Sequence, residues 1–394
     1  MKGRTVFWYF WIFGLINNVL YVVIISAAAD IVGPNLPKSL VLLVDILPSF
    51  IVKCSAPFFI HRISYRQRIW VLVLLSVGGM IMVSMRRLAV CQMGIILASF
   101  SSGLGEVTFL QLAHYYEHVS LNGWSSGTGG AGLVGSSVYM LLTSIFKLPI
   151  GLSLLVFSVL PFGFLLFFRL DQNYAYETIV DTEDSVPEAA PEVSDPVRSS
   201  TIFLAHFLQT VREVKPVVQP YMLPLSSVYF FEYLINQGVS PTLLFPLDDK
   251  HSYPFFFHKY RDIYVTYGTL YQLGVFISRS SAHYIRLKKL YLLSILQGVN
   301  LIFCLLQSWN YMFDSVWIIM LLVVYEGLLG GASYVNTFTN IIEEIEPSKR
   351  EFSLGAVSMS DSFGTLLAAF SGILLEPRLC AHQVTSGRPW CELE

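Results

Sequence analysis

The feature that leaves this chain the fewest options is a succession of long apolar runs, eleven in all, cut apart by charge clusters. A bilayer core of about 30 Å takes about 20 residues at helical rise. On that measure the spans fall at Thr5 to Ala29, Leu36 to Ile60, Ile69 to Met85, Leu88 to Ala113, Gly123 to Phe146 and Pro149 to Phe168, then Val217 to Phe245, Ile263 to Ser281, Leu290 to Gln307, Val316 to Ile342 and Phe352 to Leu375. Helices are the economical form, because each backbone amide must be satisfied inside its own segment and no ten-residue barrel alternation is present. The first run, about 25 residues long, exceeds the apolar stretch of a cleaved signal and reads as a span. The expected fold is therefore an all-α membrane protein.

Composition narrows the function. With 54% hydrophobic and 13% charged residues over 394 positions, most of the chain must sit in a lipid bilayer. A net charge of −2 with no long basic run argues against nucleic acid as a partner. The segment DTEDSVPEAAPEVSDPVRSS is acidic and proline-rich and cannot bury enough apolar surface to fold. The expected organisation is a six-helix bundle over 1–168, a disordered acidic cytosolic linker over 169–216, a five-helix bundle over 217–375 and a polar tail over 376–394 lying on the surface. Placing the N-terminus in the cytosol puts fifteen Lys and Arg there against nine on the lumenal side, although Arg86 and Arg87 oppose that bias.

The two halves echo each other. Asn17 matches Asn236 at an offset of 219; Arg66 and Arg68 match Arg286 and Lys288, and Glu106 matches Glu326, at 220. The matches fall on the first span, the basic loop after the second and the fourth span of each half, the parallel repeat of the major facilitator type.

Ionisable residues inside apolar runs are costly and mark function. Glu106, Glu232, Glu326 and Asp361 are candidate proton-coupling residues expected to face the bundle interior, and Lys53 is expected to reach the headgroups. Glu232 shares a polar stripe with Asn236 and Gln237. Asn17, Asn236, Arg279, Ser125, Ser126 and Asn336 are candidate substrate contacts. Arg279 either holds an anionic group or an acid, or anchors the span at the cytosolic face. Gly127, Ala131 and Gly135 point to close helix packing, and the neighbouring Ser125, Ser126 and Thr128 to that or to substrate contact. SSGTGG lacks the Lys of a phosphate loop, and His114 and His118 lack a third metal ligand, so neither cofactor nor metal is expected. Ser358 and Asp361 have no histidine within a span to complete a catalytic set, so an enzyme is not expected. Cys380 and Cys391 share the polar tail and could pair in an oxidising lumen.

The strings SSGLGEVTFL, WSSGTGGAGL, FFEYLINQG, YQLGVFISRSS and YEGLLGGASYVNTF resemble the battenin family of endolysosomal membrane proteins, from about Asn17 to Gly372. The resemblance implies a major-facilitator-like fold distantly similar to equilibrative nucleoside transporters. It further implies a lysosomal or, in fungi, vacuolar membrane and a part in organelle pH balance, with export of glycerophosphodiesters or vacuolar handling of basic amino acids. Glu106, Ser125, Ser126, Glu232, Asn236, Arg279, Glu326, Asn336 and Asp361 all lie in family strings. Some relatives end in a prenylation box; CELE has Glu392 where an aliphatic residue is wanted and departs from that pattern. The expected function is movement of a small-molecule solute, with protons, across the vacuolar or lysosomal membrane. The alternatives are a trafficking or scaffold protein that regulates vacuolar pH without its own transport, and an intramembrane lipid-modifying enzyme.

Overall fold

The computed structural model describes residues 3–32, 38–85, 87–170, 208–247, 260–281 and 284–392. The N-terminal half holds α1 (Gly3–Val32), α2 (Lys38–Phe59), α3 (Tyr65–Ser84), α4 (Leu88–Ala113), α5 (Glu117–Met140) and α6 (Ile150–Phe157), the last extended by a 3-10 stretch, Leu160–Arg169. In the C-terminal half, residues 208–242 are helical throughout. There α7 (Leu223–Leu234) lies between π turns at Val218–Met222 and Ile235–Val239. Then come α8 (Tyr260–Ser280), α9 (Leu290–Asn310), α10 (Val316–Glu344), α11 (Pro347–Val357) and α12 (Met359–Thr385).

Eight helical stretches among the described residues are long and apolar enough to cross a membrane. The remaining three of the eleven expected spans are α5, α7 and α8. Glycine and serine dilute α5, π turns and Pro220, Pro224 and Pro241 interrupt the α7 segment, and α8 carries Arg261, Asp262 and Arg279. These less apolar segments all face the seam between the halves, where polar groups find protein partners instead of lipid.

In each half the first span packs on the fifth and the second on the fourth: α1 on α5, α7 on α12, α2 on α4 and α8 on α10. Across the seam α2 meets α12 and α5 meets α8. Glycine permits the tightest approaches. A Cβ on Gly127 would lie 2.1 Å from the Trp11 carbonyl oxygen, and one on Gly327 would lie 2.2 Å from that of Tyr271.

Two expected boundaries move. Most of the anticipated linker, residues 171–207, lies outside the described residues, and its C-terminal part is helical from residue 208. The last helix does not stop at Leu375 but continues to Thr385. Gln383, buried there, donates to the carbonyl oxygens of Thr242 and Ser308, each at 2.8 Å. Trp390 packs beside Tyr311, and Cys380 and Cys391 are joined by a disulfide. The supposed tail is thus folded onto the C-terminal half, because its polar groups bond helix ends that need donors.

Candidate functional site

The site begins with an interruption in α2. Pro48 has no amide hydrogen, and one residue later the hydroxyl of Ser99 on α4 enters the helix ladder: it accepts from the Ser49 amide at 3.0 Å and donates to the Asp45 carbonyl oxygen. Inserted hydroxyls of this kind open a helix locally. Gly103 lets the two helices close up below that point, since a Cβ there would lie 2.7 Å from the Ser49 carbonyl oxygen.

One turn further along α2, Lys53 is 2% exposed. It does not reach the headgroups as expected, because two carboxylates hold it inside. Its Nζ donates to Glu106 Oε2 at 2.6 Å, to Asp361 Oδ1 at 2.9 Å and to Ser362 Oγ at 2.9 Å. Glu106 Oε1 accepts from the Tyr334 hydroxyl at 2.9 Å, which in turn accepts from Trp124 Nε1 at 3.0 Å. This relay crosses the seam repeatedly, because Lys53, Glu106 and Trp124 belong to the first half while Asp361 and Tyr334 belong to the second. A buried pair held on both sides this way is well satisfied, whereas removing one partner would strand a charge.

Arg279 forms the other crossing. Its Nη1 donates to Thr128 Oγ1 at 2.7 Å and its Nη2 to the Tyr229 hydroxyl at 2.9 Å, while the guanidinium lies 4.2 Å from the centre of the Tyr334 ring. It is 9% exposed and its Nε has no partner. Among the described residues no carboxylate lies within ion-pair distance of it.

Between these crossings is a small polar cavity of about 90 Å³. Asn18, Tyr21, Ile46, Ser49, Lys53, Ser102 and Glu106 line it from one half, and Tyr229, Tyr233, Tyr271, Arg279, Tyr334, Asp361, Ser362 and Thr365 from the other. Of the residues singled out from the sequence, the fold gathers Lys53, Glu106, Asp361 and Arg279 at this cavity. Glu232 and Glu326 lie behind its wall in the C-terminal half. The Tyr271 hydroxyl donates to Glu232 Oε1, and Asn236 Nδ2 donates to Glu326 Oε1 at 2.8 Å. The second oxygen of each glutamate is buried without a partner.

The other candidates stand elsewhere. Asn17 ties α1 to α4 through the Ser102 carbonyl oxygen at 3.2 Å, and its neighbour Asn18 lines the cavity. Ser126 accepts from Trp11 Nε1 at 3.2 Å and shares a bond with Ser280. Ser125 is buried with its hydroxyl unpartnered. Asn336 accepts from the Leu287 amide at 2.8 Å and pins the loop before α9. The cavity tyrosines escaped the sequence reading because aromatic residues in a span read as lipid-facing or core. The one available signal was spacing: Tyr229 and Tyr233 stand one turn apart on the same face as Glu232's stripe.

A family model described as CLN3 protein matches residues 8–382. The chain belongs to the CLN3 protein family, the battenins. It is 61% identical to Protein BTN1 of Eremothecium gossypii, with 100% of both chains covered. Identity to Protein BTN1 of Saccharomyces cerevisiae is 58%, over 100% of this chain and 99% of that one. Identity to Protein btn-1 of Neurospora crassa is 45%, over 98% and 91%. Among solved structures, a bacterial homologue of the iron transporter ferroportin in an outward-facing state superposes with a TM-score of 0.54 at 14% identity, covering 100% of this chain and 99% of that one. The major facilitator transporter FucP in its outward conformation gives 0.52 at 12% identity, covering 100% and 94%. The CLN3-family chain is thus a multi-span membrane protein with the major facilitator fold.

Proposed function

We propose that this protein carries a small polar solute across the vacuolar membrane by exposing the seam cavity alternately to its two sides. The observation that carries the reading is Arg279: a buried guanidinium on the cavity wall with no carboxylate partner among the described residues, an unpartnered Nε and an aromatic bed. Such a group suits an anionic substrate head that presents two oxygens side by side, since its donors form a fixed fork. A glycerophosphodiester has that chemistry. A basic amino acid is the second reading, favoured by Glu106 and Asp361 sharing a single lysine, so that a cationic substrate would compete with Lys53.

Proton coupling belongs to Glu232, whose free oxygen lies against the backbone of Gly330 and whose other oxygen is tied to a cavity tyrosine. A carboxylate that takes a proton from an acidic lumen and releases it to the cytosol biases which way the cavity opens. The oxidised pair Cys380–Cys391 sits at the end of the molecule opposite the linker, which fits a linker in the cytosol and that end in an oxidising lumen.

The test is flux of phosphodiesters and basic amino acids into liposomes holding the purified chain under a pH gradient. Arg279→Lys should raise the substrate concentration needed for half-maximal flux by about ten-fold, because an ammonium cannot reproduce the fork. Glu232→Gln should retain flux but lose its acceleration by the gradient. Full gradient dependence in Glu232→Gln, with loss in Glu326→Gln, would move the proton site to α10. No flux of any solute would leave the scaffold reading.

A further inference from the structure

The apolar cores of the two ends of this molecule are organised differently. At the linker side one continuous core joins the halves: Phe10, Phe109, Leu112 and Trp124 of the first half pack with Phe338, Ile341, Leu354 and Val357 of the second. At the opposite side there are two separate cores. One is built from α1, α3, α4, α5 and α6 around Val23, Met80 and Ile95; the other, from the C-terminal half alone, surrounds Val239, Tyr267 and Ile319. The linker side is therefore the sealed end in this conformation.

We infer that Glu351 is the latch of that sealed end, a carboxylate of one half clasped by two tyrosine hydroxyls of the other. This rests on the reading of the chain as an alternating-access transporter, and adds the residue that sets which side is shut. Glu351 Oε1 accepts from the Tyr65 hydroxyl at 2.6 Å and Oε2 from the Tyr115 hydroxyl at 3.0 Å. The tyrosines stand at the two helix ends that face α11, and their rings meet edge to face with centroids 6.3 Å apart.

The receiving half is built to hold them. Arg68 lies 4.4 Å from the centre of the Tyr65 ring and is itself fixed by the carbonyl oxygens of Ile60 at 2.6 Å and Ile63 at 2.8 Å. Its Nη1 donates to Gln111 Oε1 at 2.8 Å, and the Gln111 side chain lies directly on Gly355, one turn beyond Glu351; a Cβ on Gly355 would come within 2.8 Å of it. Arg68 and Gln111 thus shape a socket for α11, and Glu351 fills its polar edge.

A second polar crossing at this end is weaker. Arg286 pairs with Glu343 at 2.8 Å inside the C-terminal half, and His118 of the first half approaches Glu343 at 3.9 Å. Those groups are about a third exposed, where an ion pair contributes little. Hydroxyl-to-carboxylate bonds are charge-assisted and directional, and water can replace them when the ends part. They favour the sealed arrangement without making it permanent, as a two-state element requires.

The experiment needs no substrate. In purified protein with Cys54, Cys91 and Cys304 replaced by serine and the disulfide kept, Leu354→Cys reports the sealed end and Ile46→Cys, on the cavity wall, reports the other. Both are labelled with a membrane-impermeant maleimide. Glu351→Gln should speed labelling at 354 by about ten-fold and slow it at 46, a population shift between two arrangements. Tyr65→Phe and Tyr115→Phe, each removing one hydroxyl, should act in the same direction by a few-fold and carry the test if Glu351→Gln does not fold. Unchanged rates at both reporters, or faster labelling at 354 without slowing at 46, would overturn the latch, the second because it indicates local unfolding. Reciprocal shifts without any solute flux in liposomes would keep the latch and remove the transport reading.

Discussion

Glu106 and Glu326 occupy matched positions in the two halves, and the fold treats them in opposite ways. In the first half Glu106 is bound by a lysine and a tyrosine, and it borders the cavity. In the second half Glu326 is 0% exposed, receives one bond from an amide and keeps one oxygen without a partner. The two acids share a place in the repeat but not a set of partners. One acid is part of a relay that stitches the halves together, and the other is a buried carboxylate with no ion-pair partner among the described residues. In a repeat protein of this kind, matched position predicts depth and facing, whereas partner chemistry must be read separately for each half.

Three substitutions test that contrast. The largest effect is expected from Lys53→Met, which leaves Glu106 and Asp361 buried without their shared cation; a loss of about 3–5 kcal/mol is expected. Thermal unfolding of the detergent-solubilised protein measures it, and adding Glu106→Gln and Asp361→Asn to the same chain should recover a good part of the loss. A small effect for Lys53→Met alone would mean that the relay is not what joins the halves. A middle effect, about 1–3 kcal/mol, is expected from Asn236→Leu, which removes the hydrogen bond that Asn236 gives Glu326. The smallest is expected from Glu326→Gln, within about 1 kcal/mol, because the amide oxygen still accepts from Asn236 and no charge has to be buried. If Glu326→Gln destabilised the protein as much as Lys53→Met, the two halves would be electrostatically alike after all.

The all-helical build and the burial of the four acids were legible because both follow from one-dimensional constraints. A run of apolar residues must match the bilayer, and a charge within it must turn away from lipid. The small-residue spacing around Gly127 was legible for the same reason, since close helix approach leaves a local periodic mark. The end of the last helix was not, because the groups that extend it to Thr385 are bonds from Gln383 to helix ends far away in sequence.

By itself, then, the sequence determined a helical membrane protein of the major facilitator type whose four acids within apolar runs are buried. Only the tertiary structure decided that Lys53 turns inward to Asp361, 308 residues away, that Arg279 is left without an acid, and that tyrosines complete the cavity. The physical reason is that a buried charge states only that it needs a partner. Which partner it finds depends on the angles at which whole helices pack, and those are set by contacts distributed across both halves.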